Sequence, residues 1–176
     1  ELERIGRGLN MALSMARLTS FEHDFTVETV LLHSIVIEVV NEQKRYFIRK
    51  KVYPEVRIDS NMTVKSDKKW LKFIVEQLLV NAIKYTEGEN KKVIVSACDS
   101  EEGKVLEVKD QGVGIPKKDI RRVFEPFYTG ENGRRFGEST GMGLYLVSKV
   151  CKKLGHRIEI ESKPGEGTSV RIIFSG

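Results

Sequence analysis

The sequence predicts an α/β domain, a two-layer sandwich in which helices cover a mixed, mainly antiparallel sheet. Residues 92–109 and 158–174 each contain two segments of alternating apolar side chains joined by a short polar turn, which is typical of a β-hairpin. Stretches of helical periodicity stand before them, at 68–85 and 141–154. Two hairpins separated by helices favour one sheet with the helices packed on one of its faces.

The composition is that of a folded domain with a surplus of positive charge. Of the 176 residues, 40% are hydrophobic and 31% are charged, and a chain of this length can bury a core without disulfide bonds. A net charge of +5 favours anionic partners such as phosphates, nucleic acid or acidic lipid. No apolar run approaches the roughly 18–20 residues that span a bilayer. Cys98 and Cys151 lack the spacing of a zinc site and indicate a reducing compartment.

The elements of the first half are predicted in chain order. Residues 1–20 carry apolar side chains at the 3-4-3-4 spacing of one helix in a coiled coil or bundle. A helix is predicted over roughly 29–47 from its partly apolar face. Alternation over 52–58 predicts a strand, in which Pro54 indicates a position at the sheet edge, and 62–65 is predicted to be its short partner strand.

The elements of the second half surround a long irregular stretch. Ser66-Asp67 offers an N-cap to a helix over Lys68–Tyr85, whose apolar residues recur at helical spacing. Residues 111–143 are rich in glycine and irregular, except for a short helix predicted around 117–124. The last helix is expected to end at Gly155, because glycine readily adopts the left-handed conformation that follows many helices.

Four short motifs follow one another in this half. They are EQLLVNAIKYT at 76–86, DQGVGIP at 110–116, FEPFY at 124–128 and GMGL at 141–144. In the first motif Gln77 and Asn81 are four residues apart, so they lie on one helix face, and Lys84 follows about one turn later. An amide oxygen suits Mg²⁺, and a lysine suits phosphate oxygens. The alternative interpretation is a polar, solvated helix face.

In the second motif Asp110 ends an apolar strand and is followed by Gly112 and Gly114. A carboxylate there can accept a hydrogen bond from an exocyclic amine, and the glycines permit close approach of the backbone. The motif lacks the third glycine of a dinucleotide fingerprint, and the sequence contains no GKS or GKT triplet of a P-loop. An acidic turn that closes a strand is the alternative.

The last motif stands at the predicted start of the final helix, where free backbone N–H groups and the helix dipole bind phosphate. Its residues are Gly141, Met142, Gly143 and Leu144. The polar stretch 131–140 before it is predicted to be a lid that orders over a nucleotide, with an ordinary surface loop as the alternative.

In these four motifs the chain resembles the catalytic ATP-binding domain of bacterial sensor histidine kinases, in the superfamily of gyrase, Hsp90, histidine kinases and MutL. The motifs look like its N box, first glycine box, F box and second glycine box. The resemblance covers about residues 26–176 and implies the Bergerat-type fold. It also implies a division into the second helix of a dimerisation and phosphoacceptor domain (1–21), a linker (22–28) and the catalytic domain (29–176).

The resemblance implies ATP and Mg²⁺ as cofactors and gives roles to single residues. Asn81 is the expected metal ligand, with Gln77 and Lys84 as further catalytic residues, and Asp110 is expected to recognise adenine. The other nucleotide contacts that it implies are Gly112, Gly114, Tyr85, Arg122, Gly141, Met142, Gly143, Leu144 and Thr168. The aromatic residues of the third motif are expected to anchor the lid.

The implied function is transfer of the ATP γ-phosphate to a histidine outside residues 1–176, for relay to an aspartate of a response regulator. None of His23, His33 and His156 has a phosphoacceptor context. Gln77 stands where hydrolytic relatives carry a general-base glutamate, and an amide cannot take a proton from water. Glu76 is rotated by about 100° around the helix, away from that face. This favours transfer over hydrolysis.

The resemblance implies two protein partners, a response regulator and the protein's own dimerisation and phosphoacceptor domain. It implies a membrane-anchored homodimer whose catalytic part is cytoplasmic, and no nucleic acid is expected. The alternatives are an anti-sigma-type serine kinase and a non-catalytic adenine-nucleotide-binding module. A basic nucleic-acid-binding domain is a further alternative, for which DNA affinity should depend steeply on salt.

Overall fold

The computed structural model describes residues 25–126, 128, 130 and 143–175, together with Leu9, Ala12, Leu13 and Ala16, which are helical and exposed. The helices of the continuous part are α1 (Leu32–Glu42), α2 (Lys44–Lys50), α3 (Lys68–Tyr85) and α4 (Gly143–Leu154). Its strands are β1 (Glu28–Leu31), β2 (Val52–Arg57), β3 (Thr63–Ser66), β4 (Lys91–Ser100), β5 (Gly103–Asp110), β6 (Arg157–Lys163) and β7 (Gly167–Ile173). Among these described residues, none of the helices combines the length and hydropathy of a membrane-spanning segment.

The larger sheet has the strand order β2-β4-β5-β7-β6. The β2–β4 pair is parallel, and the other three pairs are antiparallel. The predicted mixed, mainly antiparallel sheet is therefore confirmed, as is the edge position of Pro54 in β2.

Two predictions for the first half are wrong. Residues 28–31 do not begin a helix but form β1, which pairs antiparallel with β3, and Val30 lies opposite Val64. Both valines are buried while Thr29 and Lys65 beside them are exposed, so the segment alternates as a strand does. The segment predicted to partner β2 pairs with β1 instead, because the pairing depends on tertiary contacts that local periodicity does not reveal.

The core lies between the helices and one face of the larger sheet. Alternate residues of its central strands are buried, namely Val93 and Val95 of β4, Leu106 and Val108 of β5, and Val170 and Ile172 of β7. They pack against apolar residues of α1, α3 and α4. The opposite face of the same strands carries charged pairs such as Glu107 and Arg171. By the same alternation, Asp110 at the end of β5 faces the helices.

Helix α3 begins as its sequence predicts. Asp67 is the N-cap, and its Oδ1 accepts a hydrogen bond from the backbone N–H of Trp70 at 3.1 Å. Its Oδ2 accepts from the backbone N–H of Thr26 at 2.8 Å, which ties the N-terminal segment to the helix. At the other end of the chain, α4 is followed by Gly155 at φ +75°, as predicted.

The short helix predicted around 117–124 is absent from the described structure, which has consecutive turns there. The N–H groups of Asp119 and Arg122 donate to carbonyl groups three residues earlier, at 2.8 and 2.9 Å.

Candidate functional site

A cleft opens between the C-terminal half of α3 and the ends of β5, β6 and β7. Its empty volume is about 860 Å³, including solvent at its mouth. The apolar lining consists of Leu78, Ala82, Val108, Ile115, Val123, Leu144, Ile160 and Val170. The polar side chains at its surface are those of Asn81, Tyr85, Asp110, Asp119, Tyr128 and Thr168. Apolar walls with a few convergent polar groups are typical of small-molecule sites.

Backbone N–H groups hold the carboxylate of Asp110 in this cleft. Its side chain is 7% exposed, and its Oδ1 accepts hydrogen bonds from the backbone N–H groups of Gly112 (2.9 Å) and Thr168 (3.1 Å). Among the described residues, none donates a hydrogen bond to Oδ2. One oxygen is therefore fixed by the backbone, and the other is left for a donor that enters the cleft.

Burial raises the pKa of Asp110 to about 6, although the hydrogen bonds from Gly112 and Thr168 act in the opposite direction. The carboxylate is therefore mostly ionised at neutral pH in an environment that disfavours its charge. A buried, perturbed carboxylate in a cleft is the usual signature of a functional group.

The loop after Asp110 fits closely between two other parts of the chain. A Cβ on Gly112 would collide with the carbonyl oxygen of Tyr85 at the end of α3. Gly114 has φ +72°, and a Cβ there would collide with the carbonyl oxygen of Lys163. Between them, the N–H of Val113 donates to the Tyr85 carbonyl at 3.1 Å. The two glycines therefore let the loop pack directly on backbone, which fixes the position of Asp110.

Ser162 supports the same site, although it belongs to none of the four sequence motifs. Its Oγ accepts from the N–H of Ile115 at 2.7 Å, donates to the carbonyl of Gly167 at 2.9 Å, and lies 2.7 Å from Thr168 Oγ1. Ser162 and Thr168 are directly paired in the β6–β7 hairpin. Pairing the predicted strands across their turn would have placed Ser162 beside Thr168.

Of the three predicted catalytic residues on α3, Asn81 lines the cleft. Gln77 and Lys84 do not belong to its described lining. Gln77 is half-buried, whereas Lys84 is only 8% exposed and holds its Nζ 5.3 Å from the centre of the Tyr85 ring.

Glu76 lies on a different side of α3. Burial raises its pKa, and the nearby charge of Glu42 adds to this effect, while Lys72 opposes it. Glu42 belongs to α1, so Glu76 faces the α1 side of the helix and is not part of the described lining of the cleft. This agrees with the rotation expected from its position next to Gln77.

The predicted phosphate-facing Arg122 is exposed at the rim. Its Nε lies 3.0 Å from Glu125 Oε2, and its guanidinium stacks 4.2 Å from the centre of the Tyr128 ring. The Tyr128 hydroxyl donates to Oδ1 of Asp119, a buried residue that the sequence analysis did not single out. Arg122 is therefore bound to the aromatic residue that lines the cleft, although Arg122 itself is not in the described lining.

The remaining predicted contacts divide between described and undescribed residues. The residues that line the cleft are Gly114, Gly143, Leu144 and Thr168. Gly112 contributes the backbone N–H that donates to Oδ1 of Asp110. Gly141, Met142 and the predicted lid at 131–140 lie outside the described residues.

Solved structures of histidine kinases share this fold. The chain superposes on histidine kinase AdeS of Acinetobacter baumannii with a TM-score of 0.76 and 19% identity, over 99% of this chain and 81% of that one. Full-length ShkA in complex with AMPPNP gives a TM-score of 0.79 and 21% identity, over 95% of this chain and 35% of that one. ThkA in complex with the response regulator protein TrrA gives a TM-score of 0.78 and 20% identity, over 98% of this chain and 48% of that one.

Curated relatives are more similar in sequence. The chain is 48% identical to sensor histidine kinase YxdK of Bacillus subtilis over 99% of this chain and 54% of that protein. It is 34% identical to sensor protein BceS of the same organism, over 97% of this chain and 50% of BceS. The chain thus spans about half the length of these relatives. The family model described as histidine kinase-, DNA gyrase B-, and HSP90-like ATPase matches residues 66–175. The chain therefore belongs to the family of histidine kinase-, DNA gyrase B- and HSP90-like ATPases.

Proposed function

We propose that the chain is the ATP-binding catalytic domain of a sensor histidine kinase, which transfers the ATP γ-phosphate to a histidine outside residues 1–176. The observation that carries this proposal is the Asp110 carboxylate, buried in an apolar cleft with Oδ1 held by two backbone N–H groups. Its Oδ2 is the acceptor for the exocyclic amine of adenine. The similarity to relatives named sensor histidine kinases supports the same activity.

In this proposal the cleft separates recognition of the base from binding of the phosphates. Apolar side chains such as Ile115 and Val170 cover the faces of the adenine ring, and Thr168 holds Asp110 in place. At the other end, Gly143 and Leu144 stand at the start of α4, where N–H groups without helical partners suit phosphate oxygens. Gly141 and Met142 are proposed to extend this phosphate-binding segment.

Asn81 is the proposed ligand of Mg²⁺. Its side chain lines the same cleft as Asp110, and an amide oxygen is a hard donor of the kind that Mg²⁺ accepts beside phosphate and water oxygens. When bound, the ion neutralises negative charge on the phosphates. Gln77, one turn before Asn81, is an amide and cannot remove a proton from water, which supports transfer to a protein group over hydrolysis.

Lys84 and Arg122 are the proposed cationic contacts to the phosphates. Lys84 lies against the Tyr85 ring, and Arg122 is held by Glu125 and Tyr128. We expect both side chains to exchange some of these contacts for phosphate oxygens when a nucleotide binds. Tyr85 itself is proposed to flank the nucleotide at the mouth of the cleft.

The division into residues 1–21, 22–28 and 29–176 remains a proposal for the domain organisation. Leu9 and Leu13, one helical turn apart, expose 60% and 49% of their surface, which suits packing against another helix of a dimerisation domain. The full-length protein is proposed to be a membrane-anchored homodimer whose catalytic part is cytoplasmic. It would pass the phosphoryl group to a response regulator, the class of partner that ThkA has in its complex with TrrA.

Incubation with γ-labelled ATP tests the activity. The chain alone should bind ATP, hydrolyse it very slowly and incorporate negligible label. Adding a separate dimeric helical domain that carries the phosphoacceptor histidine should restore weak transfer, because the tether that normally supplies a high effective concentration is missing. Acid-labile label on the isolated chain would contradict the assignment of the phosphoacceptor to another segment. Rapid phosphate release would favour a hydrolytic member of the family.

A further inference from the structure

Helix α2 and the residue after it form a strongly basic segment far along the chain from the motifs of the cleft. Five of the eight residues from Lys44 to Lys51 are Lys or Arg, and none is acidic. Elsewhere in the chain, most basic pairs are interspersed with Asp and Glu. A local excess of this kind attracts anionic surfaces more strongly than the net charge of the whole chain does.

Three of the four basic residues of α2 lie on one side of the helix, whereas the Nζ of Lys50 donates to the Lys84 carbonyl at 3.2 Å. Successive helical residues are rotated by about 100°, so Lys44, Arg45, Ile48 and Arg49 share an arc of about 140°. All four are exposed, whereas Phe47, on the other side of the helix, is buried in the core. We call these four residues the α2 basic face. Because Phe47 anchors the helix, the face has a fixed orientation on the surface.

Nearby acidic residues have other ion-pair partners. Glu42, just before α2, lies 2.7 Å from the Nζ of Lys72 on α3. Glu55 in β2 pairs with Lys92 and Arg57. The positive charge of the α2 basic face is therefore not compensated by these two carboxylates.

Apolar side chains protrude beside the positive charges. Ile48 is 66% exposed and Tyr53 of β2 is 56% exposed. A shallow groove runs next to them, with Lys44 and Lys51 at its rim and Glu89 as the acidic residue of its described lining. The adjoining edge strand β2 contains Pro54, which lacks an N–H group. A proline there disfavours the addition of a polypeptide strand to this edge.

We propose that the α2 basic face, extended by Lys51 and Tyr53, docks on an anionic lipid bilayer. Each basic residue near an anionic membrane strengthens binding by about fivefold, and an aliphatic side chain beside a tyrosine suits the headgroup boundary. Tethering of the chain close to a membrane would further raise the effective concentration of this surface at the bilayer. It is separate from the nucleotide cleft, since none of its residues belongs to the described lining of that cleft.

Co-sedimentation with lipid vesicles tests the proposal on the 176-residue chain. The chain should pellet with phosphatidylglycerol vesicles and stay in solution with phosphatidylcholine vesicles, and high salt should release it. The double variant Lys44→Glu, Arg45→Glu should bind at least about tenfold more weakly. The double variant Lys109→Glu, Lys152→Glu is the matched control, because it changes the net charge equally at two exposed positions elsewhere. Its binding should stay close to that of the unchanged chain.

An equal loss of affinity for phosphatidylglycerol vesicles in the two double variants would overturn the proposal, because net charge alone would then explain binding. Equal binding to both kinds of vesicle, or none to phosphatidylglycerol, would also overturn it. Binding to soluble polyglutamate without binding to vesicles would show that this face recognises an acidic polypeptide instead. Thermal unfolding and ATP affinity, measured on every variant, separate loss of docking from loss of the fold or of the nucleotide site.

Discussion

The backbone N–H of Thr168 donates to Oδ1 of Asp110 across 3.1 Å, so a residue of β7 holds the carboxylate that ends β5. These residues are 58 positions apart in the chain, and they meet because β5 and β7 are neighbours in the sheet. Asp110 is therefore positioned by the sheet rather than by its own loop alone. Because both backbone N–H groups donate to Oδ1, Oδ1 contributes to the stability of the fold, and Oδ2 is left for ligand binding.

Replacing Asp110 with asparagine should weaken ATP binding without destabilising the fold. The amide turns one acceptor oxygen into a donor that faces the adenine amine, and loss of a charge-assisted hydrogen bond costs roughly 1.5–3 kcal/mol, or more than tenfold in affinity. The remaining amide oxygen can still accept from Gly112 and Thr168. Titration calorimetry measures the affinity and urea unfolding measures the stability. Unchanged affinity would refute the role of Asp110 in base recognition.

The same variant should change how stability depends on pH. Burial raises the pKa of Asp110 from 3.8 to about 6, so the folded protein binds this proton more tightly than the unfolded chain does. The contribution of Asp110 to the free energy of unfolding therefore falls as pH rises from about 4 to about 6, and then levels. The stability of Asp110→Asn relative to the unchanged chain should increase across this window. A difference that is constant with pH would contradict the raised pKa.

His156 provides an internal reference for that measurement. Burial lowers its pKa from 6.5 to about 4, so its contribution to the free energy of unfolding rises with pH between these values. In the unchanged chain, the contributions of Asp110 and His156 to the free energy of unfolding therefore change in opposite directions as pH rises. The contribution of His156 is no longer opposed by that of Asp110 in Asp110→Asn, whose stability should therefore rise more clearly with pH than that of the unchanged chain.

Asn81→Ala should act mainly through magnesium. Mg-ATP affinity and phosphotransfer should both fall, the affinity by about tenfold, while binding of metal-free ADP should change much less. Asn41→Ala, an exposed position near the end of α1, is the matched control for loss of an asparagine from a helix. Equal loss of ADP affinity with and without Mg²⁺ would indicate a structural role for Asn81.

Gly114→Ala should destabilise the fold by about 2–4 kcal/mol, because it adds a steric collision to an unfavourable backbone conformation. Gly114 has φ +72°, and its Cβ would meet the carbonyl oxygen of Lys163. Gly165→Ala is a close control, since Gly165 has φ +80° and nothing within 4 Å of the corresponding Cβ. That variant should cost about 1 kcal/mol from conformation alone. Urea unfolding measures the free energy of unfolding of both variants. If Gly114→Ala and Gly165→Ala lose the same amount, the close contact of Gly114 with Lys163 does not contribute to the effect.

Sequence reasoning succeeded where a feature depends on residues close together in the chain. The N-cap at Asp67 and the glycine after α4 are set within one helical turn, and both are confirmed. Asp119 was missed because its partner Tyr128 follows a turn segment whose path the sequence does not specify. Ser162 was missed although the register of the predicted hairpin places it beside Thr168. β1 was mistaken for helix because its four residues acquire strand pairing only from β3.

The hydrogen bond from Thr26 to Asp67 limits how far the N-terminal side can be truncated without exposing the start of α3. A shortened chain beginning at residue 29, the predicted start of the catalytic domain, would lack this donor and the first residue of β1. It would also lose Phe25, which packs against the core. Such a chain should melt at a lower temperature than one beginning at residue 25, and equal melting temperatures would show that the segment is dispensable. The contacts of the folded domain therefore extend at least three residues upstream of Glu28, into the segment that the sequence predicts to be a linker.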